Sequence, residues 1–162
     1  MGNYQAQNRQ NYGNRSEGSG STNSGATPTI SKDSLEKIIV DGDVELLVNE
    51  AKDFSPKLVN PSWKESDRLS TSQIRAIFGE VRQIQGQLSV DFDKALRRLY
   101  LVKPKLAYRA KKENKEGVRA LTTVLDQALD FVYAEKDKTN RKERFERFVQ
   151  LFEAILAYHK GK

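Results

Sequence analysis

Residues 69–88 read LSTSQIRAIFGEVRQIQGQL, and this stretch decides the fold class. Ser70 followed three residues later by Gln73 is a capping box, in which the serine hydroxyl accepts a backbone N–H and the glutamine side chain reaches back to the serine N–H. Leu69, just before the cap, can staple to Ile74, so a helix is expected to begin at Thr71. Its apolar residues Ile74, Ile77, Phe78, Val81, Ile84 and Leu88 recur every three or four positions, the spacing that gathers side chains on one face of a helix. Arg75 and Arg82 stand two turns apart on an adjacent face.

The same period extends in both directions. Upstream, Leu35, Ile38 and Ile39 follow Asp33, which has Glu36 three residues on as a predicted cap pair. Gly42 ends that run, and Asp43 caps a second with Val44, Leu46, Leu47, Val48 and Ala51. Phe54 to Asp67 contains Pro56, Pro61 and the only tryptophan, Trp63, and reads as a loop anchored by an aromatic. Downstream, Phe92, Ala95, Leu96, Leu99 and Tyr100 predict a helix over 90–102, capped by Ser89 or Asp91. Pro104 suits the first position of a further helix, where its missing N–H costs nothing. Two more amphipathic helices are expected over 117–134 and 140–160. No segment alternates with period two long enough to suggest a sheet. The fold class is therefore all-α: a compact bundle of five to six helices over residues 31–162. Residues 1–30 are almost wholly Asn, Gln, Gly, Ser and Thr and are expected to form a disordered polar tail, because they cannot bury enough apolar area to offset ordering entropy.

Several functions are disfavoured at once. The chain has no cysteine, which removes disulfides, thiolate metal sites and thiol nucleophiles and suits a reducing, cytoplasmic compartment. No leader and no apolar run long enough to span a membrane is visible, so no membrane partner is expected. The sole histidine, His159, follows the apolar stripe of the last helix and reads as a helix-end or packing residue rather than a general base. Two acid pairs, Asp91 with Asp93 and Asp126 with Asp130, have the chemistry to hold a divalent metal. Each pair has a simpler account, the first as negative charge at the start of a helix and the second as an ordinary solvated face. No cofactor is implied.

Charge is more informative. The net charge is +6, but residues 32–53 carry three Lys against seven acids, whereas residues 68–112 carry eleven Lys or Arg against three acids. Arg68, Arg75, Arg82, Lys94, Arg97, Arg98, Lys103, Lys105, Arg109, Lys111 and Lys112 make up this basic constellation, and Arg68, Arg75, Arg82, Lys103, Lys105, Arg109 and Lys112 are the candidate RNA-contacting residues among them. They come from neighbouring helices and their connections, and they are expected to share one face that grips phosphates by charge. A merely solvated basic face would have the same composition.

Three stretches, Leu69 to Phe78 (LSTSQIRAIF), Val102 to Ala110 (VKPKLAYRA) and Phe148 to Lys160 (FVQLFEAILAYHK), together resemble the small subunit of type III-A CRISPR ribonucleoprotein complexes over about residues 34–160. The resemblance implies an antiviral, non-catalytic helical subunit. It would stack in several copies along the complex, beside the subunits that carry the guide RNA, and line the path of the target RNA. It implies RNA-backbone contacts at Arg75, Lys105 and Arg109; Lys103, Arg68 and Lys112 follow from charge and spacing. Tyr108 is expected to be partly buried. The acidic amino-terminal helices and the basic middle suggest that copies meet head to tail. A free-standing RNA-binding helical protein and a divalent-metal ribonuclease are the alternatives.

Overall fold

A computed structural model describes residues 26–161. Six α-helices follow one another: α1 (Lys32–Ile39), α2 (Val44–Phe54), α3 (Thr71–Gln87), α4 (Phe92–Glu113), α5 (Glu116–Ala134) and α6 (Lys138–Tyr158). Two short 3₁₀ segments, Ser55–Val59 and Glu65–Asp67, interrupt the loop between α2 and α3. No strand occurs among the described residues. Residues 1–25, which hold most of the expected polar tail, lie outside the described residues. Ile30, assigned to that tail, is 1% exposed within the core, so the bundle begins earlier than its polar composition suggested.

α5 and α6 form the centre. The α1–α2 pair packs on one side of them, and the α3–α4 hairpin packs on the other, α3 against α6 and α4 against α5. Leu121, Val124, Leu125, Leu129 and Val132 of α5 and Phe145, Phe148, Phe152 and Ile155 of α6 belong to one core, all essentially removed from solvent. Each such side chain contributes about 1.5–3 kcal/mol of transfer free energy, so their burial is a large stabilising contribution.

The helix ends follow the sequence closely, with two corrections. The capping box is present at Ser70 and Gln73, and Asp43 and Asp91 accept the N–H groups of Leu46 and Lys94. α1, however, is capped by Ser31, whose hydroxyl accepts the Ser34 N–H at 3.1 Å; Asp33 lies inside its first turn. The second correction is larger: Pro104 does not start a helix but sits inside α4. Ala95, Leu99, Val102 and Leu106 are all buried at spacings of four, three and four, so core packing continues in phase through the proline and outweighs its lost hydrogen bond. The Tyr133 hydroxyl donates to the Leu99 carbonyl one turn before Pro104 and fastens α4 to α5 there.

Some positive charge is structural. Arg147 Nη1 donates to the carbonyls of Ile39 (3.1 Å) and Val40 (2.8 Å), closing the end of α1. Its guanidinium lies 3.0 Å from where a Cβ on Gly42 would stand, and Gly42 has φ +74°, so only glycine suits this turn. Arg144 donates to the Phe131 carbonyl at 2.9 Å and pairs with Glu135 at 3.2 Å, while Arg141 donates to the Glu135 carbonyl, so both satisfy the end of α5.

Candidate nucleic-acid interface

α3 and α4 run antiparallel, joined by a turn at Leu88–Asp91, and each has one flank toward the other. Three polar links mark those facing flanks. Lys105 of α4 pairs with Glu80 of α3, Arg98 Nη1 donates to Gln87 at 2.8 Å, and Gln73 Nε2 donates to Glu113 at 2.7 Å. The other oxygen of Glu113 accepts from Arg109 Nη1 at 3.0 Å.

Residues turn about 100° apart along a helix, which places Arg75 and Arg82 on the far flank of α3, not beside α4. Phe78, on their flank, packs edge-on against Phe152 of α6 with ring centroids 5.1 Å apart, and the Arg82 guanidinium lies 5.9 Å over the Phe78 ring. Arg68 is held in its own loop: Nε donates to the Asn60 carbonyl at 3.2 Å, and Nη2 donates to the carbonyls of Pro61 and Trp63. Lys103 turns toward α5, where Asp130 and Asp126 clasp its ammonium, the latter at 3.5 Å. Burial by itself lowers the Lys103 pKa, but the hydrogen bond to Asp130 and the two carboxylate charges outweigh it, and the net shift is upward. The seven predicted residues therefore do not form one face. Lys105, Arg109 and Lys112 come together, Arg75 and Arg82 form a second patch, and Arg68 and Lys103 are engaged internally.

What the structure assembles instead is a stripe along one helix. α4 carries eight Lys or Arg against two acids. Lys94, Arg98, Leu101, Lys105, Tyr108 and Lys112 recur at helical spacing along its outer, α3-facing flank, with Arg97 and Arg109 at the edges. At 22 residues the helix is about 33 Å long. Leu101 is 52% exposed and Tyr108 is 66% exposed, so two apolar groups sit in the open among cations. The exposure of Tyr108 corrects its expected burial. Lys112 Nζ lies 5.9 Å from the centre of its ring.

A family model described as Csm2 Type III-A matches residues 41–162, from before α2 to the end of the chain. The chain belongs to the Csm2 Type III-A family. It is thus a small subunit of a type III-A CRISPR complex, as the three quoted stretches implied; α1 lies outside the matched range. Neither the curated proteins nor the solved structures provide a match.

In this Csm2-family chain the acid pairs have other employment. Asp91 caps α4, Asp93 pairs with Lys138 at 3.4 Å, and Asp126 and Asp130 hold Lys103. Among the described residues no group of three or more His, Asp or Glu is placed to hold a metal ion, and no helix is long and apolar enough to cross a membrane. His159 ends α6. Its Nε2 donates to the Leu69 carbonyl at 3.0 Å while Nδ1 accepts the Gly161 N–H at 3.3 Å, which requires the neutral ring. Burial lowers its pKa, against the Leu69 hydrogen bond, which favours the charged form.

Sequence reasoning missed the bracing residues Gln73, Glu80 and Glu113, because each acts across a helix pair whose register the linear pattern does not give. Leu101 was not singled out, because its exposure depends on how α4 packs.

Proposed function

We propose that this subunit holds RNA without catalysing any reaction, gripping the target strand and the guide–target duplex backbone along α4 in the cytoplasm. The stripe from Lys94 to Lys112 carries the reading. Cations at intervals of one to two turns along a single continuous helix suit a polyanion that runs beside it, and contacts made to phosphates carry little sequence information. Arg97, Lys94, Lys111 and Lys112 have no acid partner among the described ion pairs, and Lys105 is paired only at the surface, so their charge is available to a partner. No metal or other cofactor is needed for this role.

Several copies stack head to tail in this reading. The acidic α1–α2 pair and the α3–α4 hairpin lie on opposite sides of the α5–α6 centre, so one copy's acids meet the next copy's Arg75 and Arg82 and leave α4 open to RNA. Other effector subunits provide the remaining contacts. The test is affinity purification of the tagged chain from its own cells. Guide RNA and other complex members are expected to copurify; recovery of the chain alone would favour a free-standing RNA-binding protein. Replacing Glu45, Glu50 and Asp53 by lysine is expected to lower the number of copies per complex, and an unchanged number refutes the stacking contact. Magnesium-dependent cleavage of RNA by the purified chain, lost on Asp126→Asn, would refute the non-catalytic role.

A further inference from the structure

The α3–α4 hairpin forms a groove of about 510 Å³ whose floor is apolar and whose rim carries three cations and the two acids Glu80 and Glu113. Ile77 and Val81 of α3 and Val102 and Leu106 of α4 form the floor, each under 5% exposed and therefore fixed in the core. Lys105, Arg109 and Lys112 stand on the rim, with the Tyr108 ring beside them. The width of the groove is set from both sides. Glu80 of α3 ties to Lys105, and Gln73 of α3 ties to Glu113, which also holds Arg109.

The apolar floor belongs to the core, and what the groove sets beside its cations is the exposed ring of Tyr108. We propose that the groove receives a single unstacked nucleobase of a single-stranded RNA segment, with the adjoining phosphate on Lys105 and Lys112. This inference rests on the RNA-holding role proposed above and adds to it a preference for bases that are not paired. The components match what an unstacked nucleotide offers. Its faces are apolar and stack on an aromatic ring, and its phosphate takes a charge-assisted contact. Volume agrees as well, since small-molecule clefts fall at roughly 300–1,000 Å³. Lys105 can be re-aimed at little cost: its ammonium-bearing side chain is 57% exposed, and surface pairs of this kind are worth little. A base stacked inside a duplex does not reach the floor, so a fully paired strand is held by the α4 cations alone.

The test uses the full chain with methyl-labelled Ile, Leu and Val, followed by NMR. Adenosine and uridine 5′-monophosphates are expected to shift the methyl signals of Ile77, Val81, Val102 and Leu106, whereas ribose 5-phosphate and inorganic phosphate leave them in place. A base-bearing single strand is expected to bind on the order of tenfold more tightly than an abasic strand of equal length, a difference that Tyr108→Ala abolishes. Tyr108 is exposed, so this variant is not expected to disturb the fold. Methyl signals that ignore the nucleotides overturn the proposal, and so does equal affinity for the two strands. Methyls that respond instead to protein dilution identify the groove as a contact between copies and overturn it too. If both strands bind equally and both lose affinity when the α4 cations are neutralised, the groove site falls while the RNA-holding role stands; if neither strand binds, both fall.

Discussion

Replacing Lys94, Arg97, Lys105 and Lys112 together by glutamine removes four positive charges from the outer flank of α4 without touching the core. All four are exposed, and glutamine is a good helix former, so circular dichroism should show unchanged helix. Each phosphate neutralised on a single strand contributes about 0.7 to the slope of log affinity against log salt, so four contacts lower the slope by about 2.8. Referred to 1 M salt, that corresponds to a loss of roughly 600-fold at 0.1 M. The assay is fluorescence anisotropy with a labelled single-stranded RNA at several salt concentrations. The comparison is Arg75→Gln with Arg82→Gln, whose side chains point to the other flank of α3. It is expected to change the slope by less than one contact's worth. If the Arg75 and Arg82 pair costs as much per charge as the α4 set, the assignment of RNA to α4 is refuted.

Lys103→Gln is expected to leave that salt slope unchanged and to lower stability by at most about 1 kcal/mol in urea unfolding, because Asp126 and Asp130 are both substantially exposed. Gly117→Ala places a Cβ 2.5 Å from the Leu69 backbone nitrogen and 2.7 Å from the Leu58 carbonyl oxygen, where backbone must move. A loss of about 1–3 kcal/mol should appear in the same unfolding experiment, and a gain from helix propensity would contradict the geometry. The His159 pKa is lower in the folded chain than in the unfolded one, so its neutral ring contributes fully above the unfolded value near 6.5 and loses that contribution as pH falls below it. The melting temperature should therefore fall between pH 7.5 and pH 5.5 by more in the native chain than in His159→Gln.

The capping box at Ser70 and the stop at Gly42 could be read in the sequence because each is settled within a few residues by local hydrogen bonding and backbone sterics. Pro104 misled for the same reason: local propensity argues for a helix boundary, and only burial of Val102 and Leu106 in one continuous seam overrides it. Charge behaved likewise. Arg147 and Lys105 look alike in the sequence, yet one guanidinium closes the end of α1 while the other cation stands on an open rim. Composition and periodicity by themselves determined that this chain is a helical bundle with acids near its start and cations in its middle, and three short stretches pointed to its family. Which cations share a surface was decided only by tertiary structure. The direction of a side chain around its helix follows from local geometry, but whether that direction meets solvent, a carboxylate or a neighbouring helix end depends on packing between residues far apart in the chain.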